Sequence, residues 1–223
     1  MELFFIRHGK TWGNLQHRYI GVTNEPLCPQ GREELQNLAT AGCYPPAQAV
    51  YSSPMERCVE TAALLFPNQP LQTVEGLREI NFGLWENKNW QELSGDAQYQ
   101  SWVDSGGALP FPQGEGQVDF CRRCCEAWES CVNQLFAQNT PSAAFVVHGG
   151  TIMAVLSRYT NQRDYFYWQA ENGCGFVVQL TKKQWESCQK VTVTAAIGRM
   201  AHHGLPLWQI HKTGEEPRSP AGK

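Results

Sequence analysis

Short strand-like runs alternate with segments of helical period along most of the chain. This alternation constrains the fold more than any other feature. Leu3–Ile6, Ala47–Tyr51, Leu71–Val74, Ala143–Val147 and Gly175–Leu180 read as strands, and Val191–Ile197 as an edge strand. Between them, Thr11–His17, Arg32–Ala41, Pro54–Leu65, Glu115–Phe136 and Thr151–Tyr159 read as helices. Thr11 is placed to cap the first of these, and Pro54 suits the opening turn of the third, where its missing N–H costs nothing. Asn24–Gly31 reads as a turn-rich loop. Leu3–Ile6 is apolar at every position, as a strand covered on both faces must be. The pattern predicts an α/β fold: a three-layer sandwich, with a mainly parallel central sheet and helices on both faces.

No repeat or linker interrupts the pattern, so residues 1–213 are expected to form a single domain. Residues 84–116 are irregular. Gly106, Gly107, Pro110, Pro112, Gly114 and Gly116 break any period there, and Trp85, Trp90 and Trp102 sit among them. The segment reads as a lid-like excursion. Residues 214–223 read as a disordered tail. The net charge of −3 advertises no polyanion-binding face, so nucleic acid is not an expected partner. Leu3–Ile6 is too short for a signal peptide or a membrane span, and no other run approaches ~18 apolar residues. A cytoplasmic protein with no membrane partner is expected. The nine cysteines are odd in number and follow no export signal, so reduced thiols are expected. Phe120, Cys124, Cys125, Trp128, Cys131 and Leu135 share one helical face, which favours core packing over zinc.

Two strands end alike. Leu3–Ile6 runs into Arg7-His8-Gly9, and Ala143–Val147 into His148-Gly149-Gly150. Ligand sites in open α/β sheets form at the carboxyl ends of strands. Each of these strands therefore delivers a histidine to that end beside a flexible glycine. The strand at Ala47–Tyr51 leads through Ser52-Ser53-Pro54 to Arg57, placing a guanidinium at the same end. Two imidazoles with two arginines make a pocket for a dianion, because the arginine fork matches phosphate oxygens. A neutral imidazole is also a competent nucleophile. A lone histidine is more often a core residue, and a lone Arg57 a surface one. The equivalent strand ends reverse those odds. His17, His202, His203 and His211 read as surface or structural, and Arg122 and Arg123 as the solvated face of the long helix, with contact to substrate as the alternative.

These residues resemble the histidine phosphatase superfamily, the branch that also holds cofactor-dependent phosphoglycerate mutases. The likeness runs in order through RHGKTWGN (7–14), PLCPQG (26–31), SSPMERCVETA (52–62), LREINFGLWE (77–86) and VVHGGTIMAVL (146–156). It implies that His8 is the phosphorylated nucleophile and that Arg7, Arg57 and His148 bind the transferred phosphoryl. It further implies a phosphate-pocket role for Asn14 and a proton-donor role for Glu79, with Glu75 and Glu86 as nearby competitors. Gly149 and Gly21 are expected to contact substrate. Gly21 follows Ile20, where many relatives carry a polar residue, so a backbone N–H would have to serve. Cys28 stands where a threonine is usual. No metal or cofactor is expected, since the arginines and His148 would supply the positive charge. The implied activity is hydrolysis of a small phosphorylated substrate through a phosphohistidine. α-Ribazole 5′-phosphate, sugar phosphates and small phosphorylated acids are candidates. A phosphomutase would use the same core, but the stretch from Glu79 to His148 looks compact for that branch. A non-catalytic phosphate-binding module is a further alternative. An esterase is disfavoured by the absence of G-x-S-x-G.

Overall fold

The computed structural model describes residues 1–162, 164–199 and 204–208. Its strands are β1 (Glu2–Arg7), β2 (Ala49–Ser52), β3 (Leu71–Thr73), β4 (Ser142–Val147), β5 (Gly175–Gln179) and β6 (Thr192–Ile197). They form one sheet in the order β3-β2-β4-β1-β5-β6. β1 pairs in parallel with β4, β4 with β2, and β2 with β3. β5 runs antiparallel to β1, and β6 antiparallel to β5. Only β5 is therefore reversed, and the sheet is mainly parallel.

Side chains alternate across the strands, and both faces are covered. Leu3, Phe5, Phe145, Val147 and Phe176 pack on one face with α5 (Gln117–Ala137) and α6 (Gly149–Tyr159). Phe4, Ile6, Ala144, Val146 and Val177 pack on the other with Cys58 and Ala62 of α3 (Glu56–Leu65). Each large apolar side chain buried in this way contributes about 1.5–3 kcal/mol. All nine cysteines are free thiols. Cys124, Cys125 and Cys131 lie in the core beneath α5, as the helical spacing predicts.

Several boundaries differ from the sequence reading, each for a local reason. The expected Thr11–His17 helix is a single turn, α1 (Trp12–Leu15), held by a Thr11–Asn14 capping box. α2 (Pro29–Thr40) begins inside the expected loop, with Pro29 in its first turn and the Cys28 sulfur accepting from the Gly31 N–H. The threonine-to-cysteine departure thus keeps a weak cap. α3 begins at Glu56, so Pro54 lies just outside it. Two helices carried no apolar period in the sequence: α4 (Ala97–Asp104) and α7 (Lys182–Cys188). Among the described residues, no helix is long and apolar enough to cross a membrane. His202, His203, His211 and the expected tail at 214–223 lie outside the described residues.

Candidate active site

Strand register brings the two histidines together. Arg7 pairs with Val147 at the ends of β1 and β4, so His8 and His148 leave the sheet side by side. The His8 N–H continues the ladder to the Val147 carbonyl at 2.9 Å, and the Ser53 N–H reaches Val146 at 3.1 Å. Both imidazoles are buried, with ring centroids 5.2 Å apart and an edge-to-face tilt of 67°.

His8 Nδ1 lies 2.7 Å from the Gly9 carbonyl. A carbonyl only accepts, so Nδ1 carries the proton and Nε2 keeps its lone pair. Burial, then the charges of Arg57 and Arg7, hold the His8 pKa well below 6.5. The ring is thus a neutral base aimed by its backbone. His148 Nε2 stands 2.8 Å from Ser53 Oγ, which fixes the ring plane. Burial and Arg57 depress its pKa as well. This corrects the expectation that His148 supplies positive charge: before an anion arrives, the arginines alone carry it.

Arg57, in the first turn of α3, is fully buried. Its Nη1 donates to the Thr23 carbonyl and its Nη2 to the Gly21 carbonyl, both at 2.8 Å. Arg7 Nη1 donates to the Ala170 carbonyl at 2.8 Å. The Nε atoms of both arginines are buried and have no partner among the described residues. Buried donors without acceptors are costly, and guanidinium N–H groups are suited to phosphate oxygens.

Glu79 lines a cavity of about 630 Å³ together with Arg7, Gly149 and Gly150. Its Oε1 accepts from the Ile80 N–H at 2.9 Å and its Oε2 from the Gly150 N–H at 3.0 Å. Burial raises its pKa above 4.5, against the pull of those N–H groups and of Arg57 and Arg7. The two competitors are committed elsewhere. Glu75 is exposed and pairs with Arg78 at 3.2 Å. Glu86 accepts from the backbone N–H groups of Gly21, Val22, Thr23 and Phe82 and from the Thr23 hydroxyl.

Gly21 therefore has a different position from the one expected. Its N–H goes to Glu86 at 3.1 Å rather than toward substrate, and its carbonyl holds Arg57. A side chain there would come within 1.9 Å of the Ile80 carbonyl, so the close approach requires glycine. Asn14 Oδ1 is occupied by the Thr11 N–H and by Asn172 Nδ2, and Asn172 also bonds the His8 carbonyl at 3.0 Å. Asn14 borders a second recess that shares Arg7 with the main cavity. Arg122 is exposed and pairs with Asp119, as a solvated face implies. Arg123 is half-buried rather than freely solvated. It bridges Glu115 to the Gly76 and Arg78 carbonyls and so steadies the segment that carries Glu79.

Gly150 and Asn172 are supporting residues that sequence reasoning passed over, and Arg123 and Glu86 have supporting roles that it did not assign. Only Gly150 left a signal, as the second glycine of HGG. A Cβ on Gly150 would stand 2.3 Å from Glu79 Oε1. Gly150→Ala is expected to displace the carboxyl and lower turnover by about a hundredfold, as misplacements near 1 Å do. Steady-state kinetics with circular dichroism as a folding control would check this. Turnover equal to wild type would show that Glu79 needs no such support.

Residues 3–191 match the family model described as histidine phosphatase superfamily, branch 1. The chain belongs to that superfamily. It is 30% identical over 190 residues to the adenosylcobalamin/alpha-ribazole phosphatase of Escherichia coli, covering 82% of this chain and 92% of that one. It is 27% identical over 217 residues to a broad-specificity phosphatase of Saccharomyces cerevisiae, covering 92% and 88%. The crystal structure of the alpha-ribazole phosphatase from Shigella flexneri superposes with a TM-score of 0.75 at 25% identity, covering 86% and 94%. The fold is that of the histidine phosphatases, and the activity is that of a phosphoric monoester hydrolase.

Proposed function

We propose that the chain hydrolyses a small phosphate monoester with an aromatic organic part through a phosphohistidine on His8, without a metal ion. The freed Nε2 of His8, together with two buried guanidinium Nε donors that have no partner among the described residues, carries this reading. The phosphoryl group enters between Arg7, Arg57 and His148. The His8 Nε2 lone pair attacks phosphorus, and the ester P–O bond breaks on the opposite side. Glu79 gives its proton to the departing oxygen. The positive charge left on the phosphorylated ring is stabilised by the Gly9 carbonyl at Nδ1. Water then attacks phosphorus, Glu79 takes its proton, and the P–N electrons return to His8. The α6 N-terminus at Gly149 faces the same cavity and favours negative charge there. Charge on the transferring oxygens falls on donors already in place, which is where phosphoryl-transfer catalysis mostly resides.

The rest of the cavity describes the leaving group. Tyr19, Phe82, Trp102, Phe111, Tyr165 and Phe166 line it, and its volume suits a ligand of one or two rings. Aromatic walls suit a planar heterocycle, and alpha-ribazole, named in the relatives above, meets that description. α-Ribazole 5′-phosphate is therefore the candidate substrate, ahead of sugar phosphates. Trp102 and Phe111 come from the 84–116 segment, which thus acts as a lid, whereas Trp85 packs in the core and Trp90 is exposed. A screen of phosphate monoesters is expected to rank aryl and nucleoside monophosphates above glycerate and hexose phosphates. Full activity is expected to survive EDTA. Chelator-sensitive turnover, or phosphoryl transfer between glycerate phosphates at the hydrolytic rate, would overturn the proposal.

A further inference from the structure

The two-step scheme leaves one geometric requirement unmet. The attacking water must turn a lone pair toward phosphorus, so both its hydrogens point away. Glu79 takes one of them, and the other needs an acceptor on the same wall of the cavity. Tyr165 supplies an oxygen there. It precedes the 3₁₀ turn Phe166–Trp168 and lines the cavity with Glu79 and Gly150. Its hydroxyl donates to the Gly150 carbonyl at 3.4 Å, while the Gly150 N–H holds Glu79 Oε2 at 3.0 Å. Phenol, peptide and carboxyl therefore form one connected group. The O–H···O separation is longer than the 2.7–2.8 Å of a well-made bond, so the phenol is free to adjust. With its proton directed at Gly150, the phenol oxygen keeps lone pairs for a visitor. Burial and the charge of Glu79 keep the phenol protonated, so it does not compete with Glu79 as a base.

We propose that Tyr165 is the second anchor of the hydrolytic water, accepting the hydrogen that Glu79 does not take and holding the water oxygen in line with the phosphorus–His8 bond. This rests on the phosphohistidine reading above. In the attack, the water O–P bond forms, the P–Nε2 bond breaks, one water proton passes to Glu79, and the other stays on phosphate while hydrogen-bonded to Tyr165. The leaving group in the first step carries its own substituent and needs only the Glu79 proton. The tyrosine should therefore matter more for dephosphorylation than for phosphorylation.

Rapid-quench kinetics with a labelled phosphate monoester separates the two steps in wild type, Tyr165→Phe and Tyr167→Phe. Phenylalanine keeps the ring, so packing is retained. Tyr167 does not line the cavity and serves as the control. In Tyr165→Phe, phosphohistidine hydrolysis should slow by roughly ten- to hundredfold, the size of one hydrogen bond to a charged reaction centre. Phosphorylation should stay near the wild-type rate, so labelled phosphohistidine accumulates in the steady state. The control should match wild type. Equal dephosphorylation rates in Tyr165→Phe and wild type, or an equal slowing of both steps, would overturn the assignment of Tyr165 alone. Absence of labelled phosphohistidine in every protein would overturn the underlying reaction scheme and this assignment with it.

Discussion

Replacing His8 with alanine is expected to reduce turnover by at least about a thousandfold, because no other group can form the covalent intermediate. Among the described residues His148 is the only other imidazole in contact with it, and the 2.8 Å hydrogen bond between its Nε2 and Ser53 Oγ holds that ring in a fixed role. His8 is buried, and its removal takes the shorter of two side-chain hydrogen bonds from the Gly9 carbonyl, leaving the one from Asn172 at 3.4 Å, so some stability is lost too. The effect on activity must therefore be separated from folding. Binding of inorganic phosphate provides that separation, since Arg7, Arg57 and His148 remain. His8→Ala should still bind phosphate while acid-labile label on the protein disappears. Residual turnover within tenfold of wild type, or a phosphoprotein that survives the substitution, would exclude His8 as the nucleophile.

The parts of this site legible in the sequence are those where a side chain immediately follows a buried strand. Leu3–Ile6 and Ala143–Val147 are uninterrupted apolar runs, so their ends, and hence His8 and His148, can be located by inspection. Their adjacency in the sheet follows from β1 pairing with β4, which no local pattern encodes. Arg57 could be placed by the SSP turn before it. Its carbonyl partners could not, because Gly21 and Thr23 lie in a loop whose shape is set by Glu86 from a distant segment. For the same reason the Gly21 N–H, which the sequence directs to substrate, belongs instead to Glu86. Helices declared themselves only when an apolar stripe met a core. α4 has no buried residue and is fixed at its start by Asp96, whose side chain accepts from Gln98 and Tyr99. α7 buries Trp185 alone. Such helices depend on caps and aromatic contacts that a periodicity reading does not register. Proline marks the two helix starts differently: Pro54 precedes α3, whereas Pro29 opens α2.

Glu79→Gln is expected to lower turnover of alkyl phosphates by about 10²–10⁴-fold, the usual contribution of a positioned acid–base group. The size should depend on the leaving group. An alkoxide cannot depart without a proton, whereas a nitrophenolate can. With p-nitrophenyl phosphate the variant should still phosphorylate His8 at close to the wild-type rate and then stall, because hydrolysis of the phosphohistidine needs Glu79 as base. The pH dependence follows from two opposite shifts. Burial raises the Glu79 pKa above 4.5, so the acid form persists to higher pH and is lost as pH rises through that raised value. Burial and the arginines push the His8 pKa well below 6.5, so the nucleophile is lost only as pH falls through that depressed value. Phosphorylation by alkyl esters is thus bounded on its alkaline side by Glu79 and on its acid side by His8. Glu79→Gln should erase the alkaline limb and leave the acid limb in place. Glu75→Gln, at an exposed position outside the cavity, should leave both limbs unchanged. A loss in Glu79→Gln that is the same for alkyl and nitrophenyl esters, with the alkaline limb intact, would remove Glu79 from the proton-transfer role. The carboxyl held by Gly150 would then be structural, and the proton would have to reach the leaving oxygen from solvent through the aromatic mouth of the cavity.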